Sequence, residues 1–147
     1  IAEVKNNPRM HIPVCGNGDV ATPEAAKSMR DDFGLDGAMI GRASIGNPWF
    51  FAEVKHYLNH NTHLAPVDME ARVEAAKRHL QMSIDWKGEK LAVYETRRHY
   101  TNYFKGIPNF KELRMKMVSS ETSEEVFEAL EEARTRFADH DFSVSAV

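Results

Sequence analysis

The sequence predicts an α/β segment followed by an all-α four-helix bundle, mostly helical overall. Three observations carry this. Residues 12–41 run from an apolar stretch through a capped helical pattern to a second apolar stretch. Residues 59–67 are polar and contain a proline, as linkers between compact units do. From Asp68 onward, apolar residues recur at helical spacing in four successive segments. The predicted domains are therefore 1–60 and 61–147.

Taken in order, Ile1 to Asn7 read as the last turn of a helix, with no initiating methionine, which predicts a preceding segment. Ile12-Pro13-Val14-Cys15 is a continuous apolar run, the pattern of a strand buried on both faces. Thr22 offers an N-cap, Pro23 suits the first helical turn and Glu24 favours the positive end of the helix dipole. Ala25, Ala26, Met29 and Phe33 keep helical spacing, and Gly34 can close the helix in the left-handed conformation. Ala38-Met39-Ile40 is a second strand, ending at Gly41. The crossover suits parallel pairing. Asn17-Gly18 is also a strong hairpin signal, but a hairpin needs a strand where Thr22-Pro23-Glu24 starts a helix.

Asn47-Pro48 reads as a cap and first-turn proline for a helix through Trp49, Phe50, Val54, Tyr57 and Leu58. Trp49, Phe50 and Phe51 form an apolar hinge in this reading. Asp68 then caps a helix with Met69, Val73, Ala76, Leu80 and Ile84 on one stripe, stopped at Gly88, and Trp86 is assigned to the bundle core. A second helix runs from about Glu89 to Lys105. Asn109 with Glu112, and Thr122 with Glu125, have capping-box spacing for the third and fourth. Val126, Leu130, Ala133 and Phe137 make the buried face of the last.

Composition narrows the function classes. With 147 residues, 42% hydrophobic, the chain can bury a real core. It has no apolar stretch near the ~20 residues of a membrane span and no signal-peptide pattern. One cysteine, Cys15, allows no internal disulfide and fits a reducing compartment, so the expected location is cytoplasmic. Cys15 itself is expected to be a small core residue. The net charge of −3 conceals an asymmetry: residues 72–116 carry eleven Lys/Arg against five acids, and residues 119–147 carry eight acids against Arg134 and Arg136. A local +6 points to an anionic partner. His56, His60 and His63 lie on a polar connector without a Cys or carboxylate ligand set, so no metal site is expected.

Both predicted strands end in glycine-bearing loops, Gly16-Asn17-Gly18-Asp19 and Gly41-Arg42-Ala43. Glycines let backbone approach a ligand and present N–H groups to an anion, and successive strand-end loops build the phosphate site of β/α barrels. Arg42 adds a cation. Ordinary tight βα turns would look the same. Likewise, Arg97, Arg98 and His99 with Tyr100, Tyr103 and Lys105 combine cations with aromatics as RNA-binding surfaces do, or form a solvated helix face over core tyrosines.

Three stretches, "GNGDVATPEAAKSM", "GAMIGRASIGNPWFF" and "ETRRHYTNYFKGIPNFKELRMKM", in this order and spacing, resemble the carboxyl-terminal part of bacterial tRNA-dihydrouridine synthases. The resemblance runs from about Ile12 to Phe137. It implies the last two βα units of a flavin-binding (β/α)8 TIM barrel, then a helical tRNA-binding domain. It implies an FMN enzyme that reduces tRNA uridines to dihydrouridine with NADPH. It assigns Asn17, Gly18, Asp19, Gly41 and Arg42 to the FMN phosphate, and Arg97, Arg98, His99, Tyr103 and Lys105 to tRNA. The family's catalytic cysteine and flavin-ring contacts lie upstream of these motifs, so the chain is expected to be inactive without the earlier barrel portion. Two alternatives remain at this point: an autonomous RNA-binding helical module, and the end of another FMN-dependent barrel oxidoreductase. The basic segment argues against the latter.

Overall fold

A parallel strand pair and the helix between them organise the amino-terminal part of the molecule. The computed structural model describes residues 1–145, and the chain divides into two units, Ile1–Leu64 and Ala65–Val147.

The first unit contains α1 (Ala2–Lys5), β1 (Cys15–Asn17), α2 (Pro23–Phe33), β2 (Gly37–Met39), a 3-10 turn at Arg42–Ser44 and α3 (Phe50–His60). β1 and β2 pair in parallel, Cys15 opposite Gly37 and Asn17 opposite Met39, so Asn17-Gly18 is a strand end and not a hairpin tip. The helix start follows the sequence: Thr22 is extended and its hydroxyl accepts from the Ala25 N–H at 3.1 Å, with Pro23 in the first turn. Gly34 ends α2 at φ 63°, a conformation glycine adopts without a steric cost.

The first strand differs from expectation. It begins at Cys15 and not at Ile12, because Pro13 has no N–H to give a ladder. Instead the Val14 N–H donates to Asp36 Oδ2 at 2.7 Å and the Asp36 N–H donates to the Val14 carbonyl at 3.0 Å, tying the two strand starts together. Nor is β1 buried on both faces: Gly16 is buried while Cys15 and Asn17 are exposed. A Cβ on Gly16 would stand 2.4 Å from Leu35 Cδ1 and 2.6 Å from Met29 Sδ, so α2 and the segment after it press onto that one face. Cys15 lies on the opposite face and is an exposed thiol rather than a core residue.

Val20, Ala26, Phe50 and Val54 form the core of this unit, with Met29, Ala38, Ile40 and Leu58 packed against it. The expected Trp49–Phe51 hinge therefore splits, since Phe50 is in the core and Phe51 is exposed. Asn47 does not cap α3. The helix starts at Phe50 from a turn in which the Phe50 N–H donates to the Asn47 carbonyl at 3.3 Å.

The second unit contains α4 (Met69–Lys87), α5 (Glu89–Tyr103), α6 (Lys111–Ser119) and α7 (Ser123–Arg136), then a 3-10 turn at Phe142–Ser145. α4 packs on α5 and α7, α5 on α6, and α6 on α7. Asp68 caps α4, accepting from the Ala71 N–H at 2.8 Å. Thr122 and Glu125 form the expected reciprocal capping box on α7. Asn109 does not cap α6: its backbone is left-handed (φ 58°), and Phe110, already helical in backbone and without a side-chain cap, precedes the first residue of the helix. The shared interior is built from Met69, Val73, Ala76 and Leu80 of α4, Val93 and Tyr100 of α5, Leu113 and Met117 of α6, and Val126 and Leu130 of α7. Each large apolar side chain buried there contributes about 1.5–3 kcal/mol. Trp86 is not among them; it is 81% exposed. It lies six residues beyond Leu80, about 120° around the helix from that buried stripe. Among the described residues no helix is long and apolar enough to cross a membrane.

Candidate functional site

Parallel pairing places the carboxyl ends of β1 and β2 side by side, and the two glycine-bearing loops leave from those ends. Gly18 and Asp19 follow β1; Gly41 and Arg42 follow β2 after one residue. Arg42 Nη2 donates to Asp19 Oδ1 at 2.8 Å, with the side chains 82% and 77% exposed. So exposed a pair contributes at most about 1 kcal/mol. Arg42 can therefore exchange Asp19 for another anion at little cost, keeping the forked donor geometry that suits phosphate oxygens. A Cβ on Gly41 would meet nothing within 4 Å, while one on Gly18 would touch Met29 Cε at 3.0 Å. Gly41 thus borders open space and Gly16 serves packing. Asn17, Gly18, Asp19, Gly41 and Arg42 are all exposed.

The five residues assigned to RNA fare differently. Arg98 and Lys105 are exposed. Arg97 is partly buried and donates through Nη2 to the Ser120 carbonyl at 2.6 Å, which ties α5 to the end of α6. Tyr103 is 5% exposed, with its hydroxyl 3.3 Å from His79 Nδ1, and Tyr100 is fully buried, so neither ring can stack on a base. Burial pushes the Tyr100 phenol up to about 12, and it donates to Thr96 Oγ1, which in turn donates to the Ala92 carbonyl. His99 is half-buried, its ring 4.8 Å from that of His79. Burial, foremost, holds both imidazoles below their ordinary value; positive neighbours, Lys87 and Arg98 for His79 and Arg98 for His99, push the same way.

Many of the basic residues of 72–116 are already committed. Lys77 pairs with Glu131, Lys87 with Glu95 and Lys116 with Glu132. Arg72 donates to the carbonyls of Val67 and Tyr103. Arg78, Lys90, Arg98, Lys105 and Lys111 are exposed and enter none of the described ion pairs. Of the three histidines expected on the connector, His56 and His60 lie instead on α3, ring to ring, because the helix runs on through His60, and His63 pairs with Glu24 of α2. Among the described residues no group of three or more His, Cys, Asp or Glu is placed to hold a metal ion.

The family model for dihydrouridine synthase matches residues 1–139. The chain belongs to the dihydrouridine synthase family. It is similar to tRNA-dihydrouridine synthase B of Shewanella oneidensis, 37% identical over 99 residues, which cover 67% of this chain and 30% of that protein. The protein of the same name from Proteus vulgaris is 33% identical over 131 residues, 89% of this chain and 40% of its own length. That from Xanthomonas campestris is 35% identical over 124 residues, covering 84% and 37%. The chain thus spans 30–40% of the length of these dihydrouridine synthase relatives. Trp86, assigned from the sequence to the bundle core, falls off the apolar stripe of α4, and His79, which the sequence does not single out, adjoins that stripe.

Proposed function

We propose that this chain forms the carboxyl-terminal part of a flavin-dependent tRNA-dihydrouridine synthase. In this reading residues 1–60 supply the last two βα units of a (β/α)8 barrel, and residues 61–147 a four-helix tRNA-binding domain. The observation that carries it is the parallel pair β1–β2, whose adjacent carboxyl ends bring Asp19 and Arg42 within 2.8 Å. That is where barrels of this type hold phosphate. The residues suit an FMN phosphate: open backbone at Gly41, an exposed glycine at Gly18, and a guanidinium paired with an exposed carboxylate. Asn17, Gly18, Asp19, Gly41 and Arg42 would hold it. FMN held there and recharged by NADPH would supply a hydride to one carbon of the uracil double bond, with the proton for the other carbon coming from the barrel portion upstream of these residues. On the helical unit, Arg98 and Lys105 would meet tRNA phosphates, with Arg97 tying α5 to Ser120 and Tyr103 holding His79. Such contacts read backbone and shape, which suits an enzyme that presents one accessible uridine to a flavin.

In the full-length protein, Arg42→Ala is expected to reduce the flavin retained through gel filtration severalfold. Unchanged flavin content in both Arg42→Ala and Gly41→Val would remove the phosphate assignment. The 147-residue chain alone, given FMN, NADPH and unmodified tRNA, is expected to form no dihydrouridine; product above background would overturn the reading of the chain as one part of the enzyme.

A further inference from the structure

Tryptophan gains more from burial than almost any side chain, yet Trp86 is 81% exposed at the end of α4. It borders a hollow of about 430 Å³ between α4 and α5, to which His79, Met82, Lys87, Arg98 and His99 also contribute. That volume lies toward the small end of the roughly 300–1,000 Å³ of small-ligand sites, the scale of a single nucleotide. The Lys87 ammonium sits 4.5 Å from the centroid of the indole and pairs with Glu95, so the one carboxylate in the hollow is already neutralised. Arg98 is exposed, with Nε donating to His99 Nε2 at 3.3 Å. The Tyr103 hydroxyl steadies His79 from the other side.

Three chemical elements therefore meet in one place: an exposed aromatic plane, cations beside it, and two imidazoles whose nitrogens can bond a base edge. Their depressed basicity keeps both imidazoles neutral near pH 7, and with His99 Nε2 taken by Arg98 and His79 Nδ1 by the Tyr103 hydroxyl, one nitrogen of each ring is left for a base edge. An unstacked nucleobase with its phosphate matches this set, and a paired duplex, whose bases are already stacked, does not. We infer that Trp86 stacks on one unpaired nucleobase of bound RNA in the hollow between α4 and α5, with Arg98 reaching that nucleotide's phosphate. This rests on the RNA-binding reading of the helical unit.

The sequence contains two tryptophans, so a Trp49→Phe chain leaves Trp86 as the sole indole reporter. Titrating it with an unmodified tRNA transcript, an unpaired RNA oligonucleotide and a blunt RNA duplex separates stacking from backbone attraction. The tRNA and the unpaired strand should quench Trp86 emission strongly, and the duplex should not. In the otherwise native chain, Trp86→Ala should weaken tRNA binding about tenfold, with Trp86→Phe recovering most of it. Unchanged emission at saturating tRNA, equal quenching by duplex, or Trp86→Ala binding within about twofold of the native chain would each overturn the inference while leaving RNA binding intact. If the native chain fails to bind tRNA even at low salt, the underlying RNA-binding reading falls and this inference with it.

Discussion

Neutralising Arg98 and Lys105 together, as Gln, should flatten the salt dependence of tRNA binding, and the structure sets the size of the effect. Of the basic residues between Arg72 and Lys116, five are exposed and outside the described ion pairs: Arg78, Lys90, Arg98, Lys105 and Lys111. Each phosphate contact contributes about 0.7–0.9 to the slope of log affinity against log salt, so five contacts, all made at once, give a slope of about −4. On that slope, a fourfold rise in salt weakens binding by up to roughly 250-fold. Removing two contacts should lower the slope by about 1.6. The matching control is Arg134→Gln with Arg136→Gln. Those guanidiniums are held by Glu70, Glu131 and Glu112 at 3.1, 2.5 and 3.2 Å, so they should contribute little to phosphate binding. Fluorescence anisotropy of labelled tRNA over that salt range gives both slopes. An unchanged slope for Arg98→Gln/Lys105→Gln, or an equal flattening for the control, would show that the cations lie on the wrong surface.

The remaining expectations concern stability. Thr122→Ala removes the acceptor for the Glu125 N–H and should cost about 1 kcal/mol, read as a lower midpoint in denaturant; no change would mean that the box is not formed in solution. Leu80→Ala, at a fully buried site, should cost about 2–5 kcal/mol in the same assay, and a smaller loss would place Leu80 outside the core. His79 and His99 have folded-state basicity below their unfolded value, so the unfolded chain binds more protons under mildly acid conditions. Their contribution is therefore complete above the unfolded value near 6.5 and is lost as pH falls through the lower folded values. Thermal unfolding should accordingly show a midpoint that drops below about pH 6.5, less steeply in a His79→Gln/His99→Gln chain; equal slopes would exclude the pair as its source.

What the sequence carried to the structure were features whose cause is local. Thr22, Gly34, Asp68 and the Thr122–Glu125 box act within one turn, and all four are found as read. The failures needed knowledge of neighbours. Asn109 looked like a cap from its spacing, but its backbone is left-handed and α6 starts at Lys111, directly after Phe110. Cys15 looked buried because apolar runs mark central strands, yet only the Gly16 face of this sheet is covered. At the strand ends, sequence gave the residue types, while the adjacency of Asp19 and Arg42 depends on parallel register, which spacing alone suggests without fixing.

The basic segment shows most clearly why residue type and role separate. Arg97 and Arg98 are neighbours of equal charge, and helical geometry sends them to different work. One turns inward to the Ser120 carbonyl and the other remains in solvent beside His99. The tyrosines three and six residues on from Arg97 follow the inward direction and become core. The aromatic surface that an RNA-binding face needs is therefore absent from the "RRHYTNY" stretch itself. The exposed rings beside it are Trp86 of the preceding helix, which falls off the buried stripe and lines the same hollow as Arg98, and Tyr94 of α5, 66% exposed. A count of charges and rings along the chain does not separate these cases; the packing of α4 against α5 decides which rings are core and which are exposed.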